Sequence, residues 1–315
     1  MKHSLNRREF IASSGLALAA ASANPLRAAE KAQPIIDIHQ HPGFKGRPDD
    51  KVLAHQRAMG VTISFILPAG TPAELPSTNN GKTNGLAAGC LPAEAALKLA
   101  RENPKSVRFF ANEPPDHPDA GKNLEKYLKL GAIGIGEQKF KLPIDSKPMR
   151  MIYDIAKEFG VPVLMHFQHG SYNLGIERFH KILEEYPTVN FIGHAQTFWG
   201  NIDANHVQKT MYPKGPVKPG GISDRLLSDY PNMYGDHSAG SGRNALIRDE
   251  EHAVAFLERH QNKLMFGSDC YDTLGRGPSC RGANLRKTIE QLAPTKSVLR
   301  KIMFENANRL FKLKA

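Results

Sequence analysis

The chain has 315 residues, 40% of them hydrophobic, and carries 42 Lys and Arg against 31 Asp and Glu, a formal net charge of +11. This length suits one large domain or two ordinary ones, with enough apolar residues for a buried core. A basic balance is compatible with nucleic acid, an acidic surface or a small anionic substrate as partner. The basic residues are scattered, without a basic run or an aromatic ladder, which favours a solvated surface over a nucleic-acid groove. Outside the N-terminus no apolar run reaches membrane-spanning length.

Residues 1–29 are predicted to form a signal peptide. Arg7 and Arg8 lie in a positive segment, an apolar and small-residue run follows, and Ala21 and Ala23 form an A-x-A cleavage pattern. The segment N-R-R-E-F-I resembles a twin-arginine export signal, which implies a periplasmic protein, free of the membrane after cleavage. An uncleaved amphipathic anchor is the alternative interpretation. Residues 30–315 are then the single functional domain.

From residue 35 onward, apolar strand-like runs alternate with segments of helical spacing. Gly131 and Gly160 stand where helices should end, before the fourth and fifth strands. Eight β/α units without a composition break predict an α/β fold, a (β/α)8 TIM barrel, rather than an open sheet, because no glycine-rich phosphate turn follows the first strand. The predicted strands are 35–39, 61–67, 107–111, 132–137, 161–166, 189–194, 232–237 and 263–269.

Two predicted strand-to-helix connections are long, residues 68–91 and residues 195–220. In a barrel both rise from the carboxyl ends of the strands, where long loops build or cover substrate pockets. The second connection contains Trp199, the single tryptophan, and Tyr212. These two side chains would suit a flat ring in the substrate.

Histidines and one aspartate lie at the carboxyl ends of the predicted strands. His39 and His41 close strand one in I-I-D-I-H-Q-H, and positions two apart on a strand point the same way, here toward the barrel mouth. A lone histidine at a strand end is usually a satisfied hydrogen-bonding residue. Several at one end of a repeating architecture indicate a mixed nitrogen and oxygen metal site. The other members are His166, His194 and Asp269, on strands five, six and eight.

This combination of motifs resembles the amidohydrolase superfamily, and most closely its amidohydrolase-2 branch of lactone and amide hydrolases and nonoxidative decarboxylases. The ending N-A-N-R-L-F, residues 306–311, is also similar to the helix that closes such barrels. The resemblance covers nearly all of the mature chain. It implies an enzyme with one or two divalent ions, zinc first, with manganese or iron also compatible, that acts on a small molecule.

Strand four carries the variable part of that pattern. The resemblance implies that members with two metals place a bridging carboxylate or a carboxylated lysine here, and Glu137 fits the carboxylate version. Lys139 has the same strand parity and is the alternative, and a simple ion pair between Glu137 and Lys139 is a third interpretation. With two metals, His166 and His194 hold the second ion. With one metal, His194 becomes a free acid or base, and the ligands are His39, His41, His166 and Asp269.

The leading functional hypothesis is hydrolysis of an ester, lactone or amide by water that the metal activates. Asp269 would take the proton and pass it to the leaving group, and His194 or a metal would stabilise the oxyanion. The alternative is nonoxidative decarboxylation of an unsaturated or aromatic acid. Glu137 and the basic charge also suggest a phosphodiesterase or nuclease, and a non-catalytic metal-binding barrel is the remaining hypothesis. A homo-oligomer is compatible with the sequence.

Secondary candidates follow strands five, seven and eight. Arg243, Arg276 and Arg281 have the chemistry to clamp an anionic substrate, although rim arginines are more often solvated. Asp37 is expected to support the ligands from behind. Further pocket or loop-shaping candidates are His169, Asp236, His237, Ser238, Asn244 and Arg248.

The remaining histidines and the cysteines suggest no chemistry of their own. His55, His180, His252 and His260 fall in predicted helices and are expected on the surface. No two of the three cysteines form a C-x-x-C pair, which argues against a zinc knuckle. In an oxidising compartment Cys270 and Cys280 would be able to close a short loop and leave Cys90 free.

Overall fold

The computed structural model describes residues 33–70, 85–86 and 89–313. The predicted signal peptide and most of the 68–91 connection lie outside these residues. Each of the eight predicted apolar runs contains or overlaps one parallel strand. The strands are β1 Ile36–Gln40, β2 Ile63–Ile66, β3 Val107–Phe109, β4 Ile135–Gln138, β5 Val163–His166, β6 Phe191–His194, β7 Met233–Asp236 and β8 Leu264–Met265.

The strands follow one another in chain order, as a (β/α)8 TIM barrel requires. They form two parallel sheets, β1-β2-β3 and β4-β5-β6-β7-β8. Backbone hydrogen bonds cross both gaps: Gly136 N donates to Ala111 O at 2.8 Å, and Ile38 N donates to Phe266 O at 3.1 Å. The TIM-barrel fold predicted from the strand order is thereby confirmed.

Helices follow the strands on the outside. In the helix Lys147–Phe159, Ile152, Ile155 and Ala156 are buried at helical spacing, and Gly160 ends the helix in the left-handed conformation at φ 63°. No helix within the described ranges is long and apolar enough to cross a membrane. The helices are α1 Asp49–Ala58, α2 Ala93–Glu102, α3 Ala120–Lys129, α4 Lys147–Phe159, α5 Phe179–Glu185, α6 Ala195–Gly200, α7 Ile222–Asp229, α8 Ala239–Ile247, α9 Glu250–Arg259, α10 Arg281–Leu292, α11 Lys296–Arg300 and α12 Asn306–Leu310.

Two apolar clusters show which strand positions face the barrel interior. The smaller cluster joins alternate residues of several strands, among them Ile36, Ile38 and Leu164. Phe311, directly after α12, packs against Phe65 with ring centroids 4.7 Å apart. The C-terminal segment therefore contacts this interior cluster, and the larger cluster lies between the strands and the outer helices.

Bulges in β1 and β4 change the direction of the side chains that follow. Ile36 and Ile38 face the interior, so strict alternation would turn His39 outward. Between Asp37 and Gln40, however, the pairing of β1 with β2 shifts in register, and β4 shifts against β5 between Ile135 and Gln138. An extra residue in one strand re-aims the next side chains. The bulges coincide with His39 in β1 and Glu137 in β4.

Several surface and pocket predictions were wrong. His55, His252 and His260 are buried, because they lie on the inner faces or at the ends of their helices. Trp199 is also buried, and stacks on His237 with ring centroids 4.1 Å apart. Neither of these two rings is available to a substrate.

Candidate metal centre

Six side chains from five strand ends meet inside the carboxyl end of the barrel. On one side, Nε2 of His39 lies 3.2 Å from Nε2 of His41. Oε2 of Glu137 lies 3.5 Å from the first nitrogen and 3.4 Å from the second. Oδ1 of Asp269 lies 3.4 Å from Nε2 of His41. These four side chains can share one ion.

The other oxygen of Glu137 faces a second pair of histidines. Oε1 contacts Nδ1 of His166 and lies 3.6 Å from Nε2 of His194. Glu137, His166 and His194 form a group whose ligand atoms all lie within 4.8 Å of one another, and so do His39, His41 and Glu137. A single carboxylate thus joins two sets of histidine donors.

Each histidine is held by a hydrogen bond at the ring nitrogen that faces away from the centre. Nδ1 of His39 lies 2.6 Å from Oδ2 of Asp236, and Nδ1 of His41 lies 2.8 Å from the Leu67 carbonyl oxygen. Nδ1 of His194 lies 2.8 Å from Oγ of Ser238. Such partners fix ring orientation and tautomer, as is usual behind metal-binding histidines.

The electrostatics of the centre keep both carboxylates ionised. Burial raises the pKa of Glu137, but the charges of His166 and Lys139 hold it well below its usual range. Burial likewise raises the pKa of Asp269, but its close contact with His41 and the nearby histidine charges lower it to about 2. Both groups are therefore anionic acceptors at neutral pH.

The two histidines beside Asp236 differ in charge. Burial lowers the pKa of His39, but the charge and hydrogen bond of Asp236 raise it to about 10. Burial and the charge of His39 lower the pKa of His194 to about 4. The ring of His39 is therefore protonated at neutral pH when only protein groups surround it, and the ring of His194 is neutral.

The donor set fits a divalent metal. Oδ1 of Asp269 is buried without a hydrogen-bond partner, although it points at the Nε2 atom of His41. A buried carboxylate oxygen without a partner is costly unless a cation satisfies it. Four imidazoles with two carboxylates are the ligands that zinc, manganese and iron take. The six residues predicted from the sequence are those that the structure brings together.

Close backbone approach holds the centre together. A Cβ atom at Gly267 would lie 2.4 Å from Oδ1 of Asp236 and 2.8 Å from Cβ of His39, so only glycine fits here. Asp269 itself has φ 46°, in the left-handed region that non-glycine residues rarely adopt. Its amide donates to the His39 carbonyl at 2.8 Å, which holds β1 against the β8 end.

The secondary candidates separate into supporting and surface roles. Asp37 accepts hydrogen bonds from the amides of His39 and Ser268, at 3.0 and 2.8 Å, and so supports the backbone of the centre. Lys139 is partly buried beside the ring of Tyr172, outside the ligand groups. Arg248 bonds Asp203 at 2.6 Å, which is a structural contact.

A cavity of about 240 Å³ lies along α8 and the start of α10. Its wall includes Ala239, which follows Ser238, the residue that contacts both His39 and His194. The predicted rim arginines 243 and 281 line it, whereas Arg276 does not. The polar lining side chains are Tyr212, Arg243, Asn244, Arg281 and Asn284.

A second cavity, of about 430 Å³, lies beside Gln168 and His169. Oε1 of Gln168 is 3.2 Å from Nε2 of His166, so one lining residue of this cavity contacts the centre. Sequence reasoning missed Gln168, as well as Cys90, which hydrogen-bonds to His41. Gln168 stands two residues after His166, the same spacing as between His39 and His41, whereas no sequence signal links Cys90 to His41.

The barrel and its buried cluster of histidines and carboxylates define a metal-dependent TIM-barrel enzyme. The chain belongs to the amidohydrolase family, whose sequence profile matches residues 36–313. The predicted family is thereby confirmed. No curated protein matches the chain.

Solved structures share the fold at low sequence identity. An uncharacterised TIM-barrel protein from Bordetella bronchiseptica is 16% identical with a TM-score of 0.60, over 89% of this chain and 98% of that one. A probable 2-pyrone-4,6-dicarboxylic acid hydrolase from Acinetobacter baumannii, with citric acid bound, is 15% identical with a TM-score of 0.58, over 88% and 99%. A dihydroxybenzoic acid decarboxylase from Polaromonas sp. JS666, with manganese and 2-nitroresorcinol bound, is 16% identical with a TM-score of 0.57, over 90% and 98%.

Proposed function

We propose that the chain is a metal-dependent hydrolase that cleaves an ester, lactone or amide bond in a small anionic substrate. The observation that carries this proposal is the position of Glu137, whose two oxygens face different histidine pairs. A carboxylate with this arrangement suits a bridge between two ions, and paired ions are a common device for hydrolysis. Zinc is the first candidate for both positions, with manganese or iron as alternatives.

The six side chains would bind two ions. One ion would be held by His39, His41 and Asp269, and the other by His166 and His194. Glu137 would bind both ions, one with each oxygen. Divalent ions bound here would polarise a substrate carbonyl and lower the pKa of water.

Asp269 is the group best placed to move the proton. Its side chain is 19% exposed, whereas those of His41 and Glu137 are 1% and 2% exposed. Water therefore reaches Asp269 more readily than it reaches these neighbours. As a carboxylate at neutral pH, Asp269 would accept the proton of the attacking water and pass it to the leaving group.

The cavity lined by Arg243 and Arg281 would bind the anionic part of the substrate. Two guanidinium groups provide several fixed donors for a carboxylate. Ala239, in the wall of this cavity, directly follows Ser238, which contacts His39 and His194. A carboxylate held there would leave the rest of a small substrate near the metal centre.

A substrate panel tests the proposed reaction. The metal-loaded protein is incubated with lactones that carry carboxylates, including pyrone dicarboxylates, with simple esters and amides, and with dihydroxybenzoates, while acid release and CO2 are followed separately. We expect hydrolysis of at least one anionic lactone or ester, without CO2. Release of CO2 without hydrolysis of any member would favour decarboxylation and overturn the proposal.

A further inference from the structure

A second cluster of metal-ligating side chains lies outside the candidate metal centre. It consists of His55 on α1, Cys270 just after Asp269, and Cys280 at the start of α10. Their exposed fractions are 0%, 1% and 0%, and both cysteines are free thiols. The proposed hydrolysis uses none of the three.

The distances within this cluster match a tetrahedral metal site. The two sulfur atoms are 3.8 Å apart, and Sγ of Cys280 lies 3.4 Å from Nε2 of His55. Ordinary Zn–S and Zn–N bond lengths in a tetrahedron give about 3.8 Å between two sulfurs and about 3.6 Å between sulfur and nitrogen. A disulfide requires about 2.05 Å between the sulfurs. The thiols are thus spaced for a shared ion rather than for a covalent bond.

The partner of His55 can hold its ring for metal binding. Nδ1 of His55 lies 3.2 Å from the side-chain amide of Gln56, which leaves Nε2 toward the thiols. Gln56 also accepts a hydrogen bond from the Ser64 hydroxyl at 2.9 Å. A flip of the Gln56 amide would present its oxygen to an Nδ1 proton and its nitrogen to the hydroxyl, at the cost of the hydrogen bond that the same amide makes with Asp37.

Charged groups around the cluster suit a divalent ion. The partly exposed Asp272 hydrogen-bonds the Cys280 thiol, and the buried guanidinium of Arg47 interacts with Cys270, Asp37 and Asp272. Two buried thiolates carry two negative charges, which a divalent ion would neutralise, and this avoids the large cost of isolated buried ions. Asp272 or a water would complete the tetrahedron.

We propose that His55, Cys270 and Cys280 form a second, structural metal site that takes zinc or another thiophilic divalent ion. Because Cys270 directly follows Asp269, an ion here fixes the backbone that carries the partly exposed carboxylate of the candidate metal centre. The site joins α1 to the loop after β8 and the start of α10, which lie far from α1 in sequence. It is distinct from a zinc knuckle, since its ligands form no C-x-x-C pair.

Cobalt spectroscopy tests the site directly. Cys90 contacts His41, so the experiment uses a Cys90→Ser background in which only Cys270 and Cys280 remain. The Co²⁺-loaded protein should show a near-ultraviolet thiolate-to-cobalt absorption band. The further change Cys280→Ser, which keeps an N-cap side chain for α10, should remove the band and one equivalent of cobalt. The proposal is overturned if the band is absent from the Cys90→Ser protein, or if it is unchanged when Cys280→Ser is added.

Two further measurements keep the proposal falsifiable if a variant does not fold. Wild-type protein purified without reductant, then denatured with chelator, should show three free thiols; a single thiol would indicate a Cys270–Cys280 disulfide and overturn the site. Titration of native, zinc-loaded wild type with an organomercurial should release an ion detected by an indicator dye as two thiols react. Reaction of the thiols without metal release would also overturn the proposed site.

The cobalt–thiolate band should persist in Glu137→Ala, because Glu137 belongs to the candidate metal centre and not to the cysteine site. This result separates the two sites.

Discussion

Oδ2 of Asp236 lies 2.6 Å from Nδ1 of His39, and both side chains are fully buried. The same carboxylate accepts a hydrogen bond from Oγ of Ser238 at 2.8 Å, and Ser238 contacts His194. One aspartate on β7 therefore orients donors that belong to both halves of the candidate metal centre.

Asp236→Asn should weaken metal binding without removing a ligand. The amide retains the shape of the carboxylate but loses the charge that orients His39, and loss of such a partner costs about 10- to 100-fold in metal affinity. Competition with a chromophoric chelator measures this. Asp229→Asn, at the exposed end of α7, is the matched control. Equal affinities for Asp236→Asn and wild type would contradict the role given to Asp236.

Glu137→Ala should change the metal content. If Glu137 bridges two ions, metal analysis of protein purified without added metal should find two equivalents at the centre in the wild type and one or none there in the variant, in addition to the ion proposed at Cys270 and Cys280, which both proteins keep. Glu258→Gln, on the exposed face of α9, should have the wild-type content. A total that is the same in Glu137→Ala as in the wild type would refute the bridge.

Asp269→Asn should abolish turnover while the barrel stays folded. The amide keeps an oxygen near His41 but cannot accept the proton of water, and loss of a positioned general base typically costs 10²- to 10⁴-fold in rate. Steady-state kinetics on a substrate found in the panel, with circular dichroism as the folding check, measures the effect. A variant that retains more than about a tenth of the wild-type kcat would remove Asp269 from the proton-transfer step.

Gly267→Ala should disturb the centre through sterics alone. The added methyl would lie 2.4 Å from Oδ1 of Asp236, so Asp236 or His39 must move. We expect metal affinity to fall at least 10-fold, as for loss of the supporting hydrogen bond. In Gly121→Ala the new Cβ meets its nearest neighbour, Sδ of Met151, at 3.6 Å, an ordinary contact, so affinity should not change. Isothermal titration with zinc compares the two variants.

The stability of the chain should depend on pH through Asp224, a residue remote from the metal centre. Its carboxylate binds Nε2 of His260 at 2.7 Å and the Arg259 guanidinium at 3.0 Å. Burial raises its pKa, but the His260 hydrogen bond and the Arg259 charge lower it to about 2, against 3.8 for a free side chain. A depressed carboxyl pKa stabilises the fold above the unfolded-state value, and this contribution is lost as pH falls through about 2.

Urea unfolding of wild type and Asp224→Asn tests this dependence. The variant should be less stable by about 2 kcal/mol at pH 5 to 7. The difference should shrink as the pH falls below about 4, because the wild-type carboxylate then begins to lose its advantage. A difference that stays constant down to pH 3 would show that the carboxylate charge is not its cause.

The strand order and the six ligand candidates were predictable because both depend on local pattern. Apolar runs mark strands buried on both faces, and parallel strands place their ends at one edge, so His166 and His194 meet without further information. The sequence correctly predicted that His39 points toward the metal centre, but side-chain alternation along the strand does not by itself explain this direction. The bulge between Asp37 and Gln40 arises from pairing with β2, and nothing in the β1 sequence alone specifies it.

Burial of helix residues was harder to predict, because it depends on which face of a helix meets a neighbour. His260 was expected on the surface, yet it ends α9 against Asp224 of α7. His55 likewise faces Cys280 from a distant part of the chain. Pairings between elements far apart in sequence leave no periodic signal, so the second cluster emerges only from the fold.

Trp199 gives the molecule a built-in optical probe. It is the single tryptophan of the chain, and its indole nitrogen donates to the carbonyl oxygen of Asp236 at 2.9 Å. Because the side chain of the same Asp236 holds His39, any shift of β7 on loading or stripping the centre alters the polarity around the indole. The fluorescence of Trp199, excited selectively, therefore reports metal binding at the centre in unlabelled protein.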